Sequence, residues 1–123
     1  METKVKLLKS IADHNRLRII MALMTHEELC ACQFIELLQF TGATISRHLS
    51  ILNNVGLIKS RKEGRWVYFA LKKESLSHKK FLDGLFEELK TTEEYIADCK
   101  RLKKIVAFDP VVLCKKQRGE NCC

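Results

Sequence analysis

The chain has 123 residues, enough for one domain with a modest core, so pairing with a second copy would add to its stability. Lysine and arginine number 22 against 15 aspartate and glutamate, a formal charge of +7. No run of about 18 apolar residues exists to cross a membrane, and the charged opening METKVKLLKSIADHNRL lacks the apolar heart of a signal peptide, so a cytoplasmic protein is expected. In that compartment the six cysteines, at 30, 32, 99, 114, 122 and 123, are expected as thiols. Their number points to metal or metalloid ligation, or to redox sensing, rather than to a disulfide scaffold.

Val5, Leu8, Ile11 and Ala12 share a face of a short first helix over residues 4–12. Asp13 stands where an N-cap belongs, and Leu17, Ile20, Met21 and Met24 carry a second helix to about Thr25, with the methionines as core filler. His26-Glu27-Glu28 opens HEELCACQFIELLQF. Glu27 and Glu28 are placed for a first helical turn, and Phe34, Leu37 and Leu38 form an apolar face. Thr41 caps the next helix, along which Ile45, Leu49, Leu52 and Val55 line one side before Gly56 ends it. With Thr41-Gly42-Ala43 as the turn, these two helices form a helix-turn-helix pair.

The front of that second helix carries Ala43, Thr44, Ser46, Arg47 and His48, a mixture of small, hydroxyl and bidentate-donor side chains suited to the floor of a DNA major groove. An ordinary surface helix is the alternative, and the following residues argue against it. Leu57–Arg61 and Trp66–Leu71 read as two strands around a Lys62-Glu63-Gly64-Arg65 turn, the wing of a winged helix. Lys62 and Arg65 at its tip are placed for phosphates or the minor groove. Between Gly42 and Lys73 seven cations face one carboxylate, so this third of the chain carries +6 of the +7, the footprint of a polyanion partner.

A long helical pattern runs from Glu74 to about Lys104, with seven acidic and seven basic residues and a Leu82, Leu85, Leu89, Ile96 stripe interrupted at Thr92. A neutral helix with such a seam is expected to pair two copies into a homodimer, the first helix packing beside it. Residues 105–123, holding the only proline, are expected as a loose cysteine-bearing tail after a 1–104 domain. The expected class is therefore mainly α with a small β-hairpin, a winged helix-turn-helix dimeric through its terminal helices.

Cys30-Ala31-Cys32 is the other informative detail. On a helix, side chains two residues apart diverge by about 200°. The two thiols can then share one ion only if the first turn, Leu29–Gln33, unwinds: a poor rigid site and a good switch. Two small buried apolar cysteines are the plainer reading.

ADHNRLRII at 12–20, ELCACQ at 28–33, TISRHLSILNNVGLI at 44–58 and EGRWVYFAL at 63–71 resemble the arsenical-resistance repressors of the ArsR/SmtB family of winged-helix metalloregulators. The resemblance spans about residues 5–100. It implies a homodimer, not an enzyme, that holds operator DNA and releases it when arsenite or antimonite binds Cys30 and Cys32 as thiolates. Many members carry a third cysteine three residues after the second. Here that position is Ile35, which leaves Cys114, Cys122 or Cys123 as sources of a third sulfur, or a solvent ligand instead. The paired carboxylate and histidine ligands that other members use for zinc on the last helix are not matched by His78, Asp83, Glu87 and Glu88.

Soft thiolates also suit cadmium or lead, and a thiol-redox switch of the same fold is a further alternative. A cysteine-based reductase would need a positioned base or an anion loop, and the sequence offers neither a Gly-rich phosphate loop nor a Cys-x-x-Cys pair. A metalloid carrier would use the tail cysteines alone.

Overall fold

The computed structural model describes residues 1–72 and 76–118. Its elements run α1 (Glu2–Ile11), α2 (His14–Thr25), β1 (Leu29–Cys30), α3 (Ala31–Leu38), α4 (Gly42–Asn54), β2 (Ile58–Glu63), β3 (Trp66–Leu71), α5 (Leu76–Leu89), α6 (Glu93–Ile105) and α7 (Pro110–Arg118). The strands form one antiparallel sheet in the order β1-β3-β2. No helix of the described residues is long and apolar enough to cross a membrane.

The local signals explain most boundaries. Asp13 is extended, and its carboxylate accepts the Asn15 and Arg16 amides to start α2. Burial opposes ionisation of Asp13, but the Arg16 and Asn15 amides and the Arg16 charge outweigh it, holding the carboxyl below its usual range. Thr41 Oγ1 accepts the Thr44 amide at 3.3 Å and starts α4. Gly56 (φ 80°) ends that helix and Gly64 (φ 63°) turns the wing, both in the left-handed region that glycine enters without strain. The turn between α3 and α4 lies earlier than expected. Gln39 caps α3 with φ 61°, its amide bonded to Ile35 O, while Gly42 and Ala43 already belong to α4.

The core is continuous. Ile19, Ile20, Leu23, Phe34, Leu37, Ile45, Leu52 and Leu57 are fully buried, each contributing about 1.5–3 kcal/mol relative to exposure. The centre of the molecule is α3, which packs against β1, α4, α6 and α7. Across α2 and α6 the Arg18 guanidinium grips Asp98 through Nε and Nη2, each at 2.9 Å, and Nη2 also donates to Leu37 O on α3 at 3.4 Å.

Four expectations are corrected. The helix expected from His26 begins only at Ala31, because Leu29 and Cys30 pair with Phe69 and Tyr68 of β3 and are held extended by that ladder. Glu27 and Glu28 thus precede a strand, and the hairpin becomes a three-stranded sheet. The helix expected over 74–104 is two helices. Thr92 accepts the Tyr95 amide and donates to Leu89 O, stopping α5 and capping α6. The tail is not loose over 110–118. There α7 lies on α3, with Leu113 and Cys114 buried and Gln117 bonded to Cys32 O. Of the seam residues, Leu82 is buried in the protomer's own core, which removes it from a surface stripe. Leu85 and Leu89 are half-buried and Ile96 is exposed.

Candidate nucleic-acid interface and thiol site

The apolar side of α4 faces the core through Ile45, Leu49 and Leu52. The helical period therefore turns Ala43, Ser46 and Arg47 outward, and all three are exposed. Thr44 is half-buried, its hydroxyl oxygen accepting from Thr41 Oγ1 at 3.0 Å. His48 is on the wrong side for a groove contact. It is 5% exposed, and the Arg16 guanidinium donates to its Nδ1 at 3.1 Å. Burial, together with the Arg16 and Arg47 charges, pushes the imidazole below its ordinary value against the pull of Asp13. His48 is a neutral packing residue that ties α4 to α2, and its expected place among base-contacting residues is corrected.

On the wing, Lys62 and Arg65 are exposed beside Gly64 at the tip. Arg61 is differently occupied. It binds Glu28 through two nitrogens (2.6 and 2.9 Å) and Glu63 through a third (2.6 Å), and its guanidinium carbon lies 4.7 Å from the Tyr68 ring centre. The hydrogen bonds it donates to Glu28 and Glu63 push its pKa further above an already high value. Glu28, which lies outside the stretch counted from sequence, thus offsets one further charge of the positive patch.

The thiol site begins where the sheet ends. Cys30 is both the last residue of β1 and the N-cap of α3, with φ −91° and ψ 165°. Its amide donates to Gln33 Oε1 at 2.9 Å while its sulfur accepts the Gln33 amide, a capping box with cysteine in the serine position. Cys32 follows in the first helical turn. Both are buried, 1% and 7% exposed. A hydrogen bond from the Cys32 thiol, opposed by burial and aided by amides at the helix start, brings the Cys30 thiol down to about 6. The shift favours the thiolate, the form that attacks and ligates.

The expectation that this pair is held apart on a helix is overturned. Cys30 is extended and outside the helix, so the two thiols already meet and no turn has to unwind. The signal was legible in Cys30-x-x-Gln33, a capping-box spacing that marks the position before a helix.

A third sulfur stands next to them. Cys114 Sγ of α7 lies 2.8 Å from Cys32 Sγ and is 0% exposed. Cys30, Cys32 and Cys99 are free thiols, whereas Cys114 is disulfide-bonded. Gln117 of α7 donates to Cys32 O at 2.8 Å and to Glu36 Oε2 at 3.4 Å. Among the described residues no group of three or more His, Cys, Asp or Glu is arranged as it stands to hold a metal ion. Cys99 is half-buried beside Tyr95, whose hydroxyl is pushed up to about 12 by burial and by that neighbour. Cys122 and Cys123 lie outside the described residues.

Residues 13–60 match the family described as "Bacterial regulatory protein, arsR family". The chain is 39% identical over 69 residues to a cadmium resistance transcriptional regulatory protein CadC homolog of Staphylococcus aureus, covering 56% of this chain and 57% of that one. It is 40% identical over 67 residues to the arsenical resistance operon repressor of Escherichia coli (strain K12), covering 54% and 57%. The match thus spans little more than half the length of these curated relatives. Among solved structures, the transcriptional regulator HlyU from Vibrio vulnificus CMCP6 superposes with a TM-score of 0.60 at 34% identity, over 70% of this chain and 86% of that one. The fold, the helix-turn-helix match and these identities agree, and the chain belongs to the arsR family of bacterial regulatory proteins.

Proposed function

We propose that the chain is a homodimeric repressor that binds operator DNA through α4 and the β2–β3 wing and releases it when trivalent arsenic or antimony joins the Cys30 and Cys32 thiols. One observation carries the effector reading: two free, buried thiols in contact at the start of the helix that supports α4, with the Cys32 thiol hydrogen bond favouring ionisation of Cys30. Arsenous acid loses one hydroxide as water for each thiol it binds, so a close thiol pair is a chelate. Ala43, Thr44, Ser46 and Arg47 serve as base contacts, Lys62 and Arg65 as backbone contacts.

Two routes tie the thiols to the DNA surface. Through α3 they bear on α4, and through the β1–β3 pairing they bear on the wing. A shift in either spoils the spacing of two half-sites about one DNA turn apart. Exposed Val5 and Leu8 on α1 and Ile96 on α6, with half-buried Leu85 and Leu89, supply the apolar surface for the dimer.

A second reading keeps the fold and changes the ion. Cadmium and lead are also thiophilic, and the name of the Staphylococcus aureus relative concerns cadmium. A duplex selected by the chain from a random-sequence pool provides the probe. Its complex with the reduced chain is titrated with arsenite, antimonite, cadmium, lead, zinc and peroxide, and sedimentation reports the oligomer. Release at the lowest concentration by arsenite or antimonite is expected. Release by cadmium or lead alone, or by peroxide alone, would replace the effector, and failure to select any duplex would remove the DNA-binding reading.

A further inference from the structure

We propose that Cys114, carried by α7, is the third sulfur ligand of the thiol site, so that the trivalent ion is held by Cys30, Cys32 and Cys114 and clamps α7 onto the start of α3. This rests on the reading of Cys30 and Cys32 as the metalloid site. Trivalent arsenic forms three bonds, and two thiols leave one to oxygen. The α3 helix has no third thiol to offer, since Ile35 stands one turn beyond Cys32. What it has instead is a helix 82 residues later in the chain, docked by Leu113 and by the Gln117–Cys32 backbone bond, that places the Cys114 sulfur 2.8 Å from that of Cys32.

Thiolates that share one ion at bond lengths of ~2.3 Å sit ~3.5–4 Å apart, so the Cys32 and Cys114 sulfurs, 2.8 Å apart, need only separate by about an ångström. Because Cys32 contacts both other cysteines, it is the centre of the cluster. With all three groups buried, water is kept from the bound ion.

The chemistry balances in two steps. The disulfide on Cys114 is first reduced by a cellular thiol of the glutathione class: two such thiols form one disulfide, and two protein thiols result. Arsenous acid then exchanges its three hydroxyls for three sulfurs, each S–H proton leaving with a hydroxide as water, so three waters are released and no oxidation state changes. The cluster therefore takes a trivalent ion only under reducing conditions, and its third sulfur discriminates between a three-bonded ion and divalent ions that prefer four ligands.

The test is arsenic K-edge X-ray absorption on the full reduced chain with one equivalent of arsenite, using a phosphine reductant that is not itself a dithiol. Three As–S bonds and no As–O bond are expected. Cys114→Ser and Cys114→Ala should each give two As–S bonds and one As–O bond and bind arsenite at least tenfold more weakly. The double variant Cys122→Ser, Cys123→Ser should keep three As–S bonds. An As–O bond in the unaltered chain overturns the proposal without relying on any variant folding. So does loss of a sulfur in the Cys122→Ser, Cys123→Ser chain with retention of three in Cys114→Ser. Failure of the underlying reading looks different: no arsenic–sulfur bonds in the unaltered chain, or unchanged binding after Cys30→Ser, Cys32→Ser.

Discussion

Cys30 stands opposite Tyr68 in the antiparallel pairing of β1 with β3, and Tyr68 in turn pairs with Arg61 of β2, whose guanidinium lies over its ring. Three strands thus connect a buried thiol to the tip of the wing, with Glu28 bracing the connection from the residue before β1. Backbone ladders transmit displacement because slipping a short strand breaks its hydrogen bonds one by one, so a shift at Cys30 is passed to β3 rather than absorbed. The α3–α4 packing gives a second path.

Glu28→Gln tests the brace. The Glu28–Arg61 pair is partly exposed (side chains 32% and 50%), so its loss should leave stability nearly unchanged. The two guanidinium nitrogens that held Glu28 become available to phosphate while the third stays on Glu63, and the slope of log affinity against log salt should steepen by up to about one. Anisotropy titrations across salt concentrations check this. An unchanged slope would mean that Arg61 does not reach DNA.

His48 and Arg47 are neighbours in sequence with opposite expected behaviour. His48→Ala should cost roughly 1–3 kcal/mol of stability by removing a buried side chain and an acceptor of the half-buried Arg16 guanidinium, with base preference unaltered. Arg47→Ala or Ser46→Ala should leave stability alone and cost roughly 1–3 kcal/mol of discrimination at one base position. Lys62→Ala and Arg65→Ala should weaken all sequences alike. Altered base preference in His48→Ala would overturn the inward placement of that residue.

Arg18 and Asp98 form a buried pair, with side chains 17% and 10% exposed. Asp98→Ala leaves a buried guanidinium without its carboxylate and should cost about 3–5 kcal/mol in urea unfolding. Replacing both, Arg18→Met with Asp98→Leu, should recover most of that loss. If the double replacement were as unstable as the single, the cost would lie in packing rather than charge.

Much of this was legible in the residues. Asp13, Thr41 and Gly56 announced their caps, and the Ile45, Leu49, Leu52 period oriented α4. His48 was misplaced because it sits at the edge of the α4 apolar stripe, and only the distant Arg16 decides which way it faces. β1 was invisible because two residues carry no period, and its conformation is imposed by Phe69 and Tyr68. The docking of α7 was hidden for a similar reason: Pro110 and a charged end read as loose chain, whereas Leu113 and Cys114 gain their meaning from α3.

The Cys30 thiol gives a pH signature. Its folded value of about 6 lies below the ordinary 9.0. Between those values the unfolded chain holds a proton that the folded chain has released, so this group makes stability rise with pH from about 6 to about 9. The stability difference between the unaltered chain and Cys30→Ser should widen over that window. A difference that stays constant would show that Cys30 is not ionised more readily in the folded state.

The most direct test of the account is release of the selected operator duplex by arsenite from the reduced chain, compared with Cys30→Ser, Cys32→Ser and the double variant. Each variant should bind the duplex with unaltered affinity and fail to release it, and in the unaltered chain DNA should weaken arsenite binding by the same factor that arsenite weakens DNA binding. Release of the duplex from the Cys30→Ser, Cys32→Ser double variant at the arsenite concentration that releases it from the unaltered chain would contradict the account and place the sensing site elsewhere.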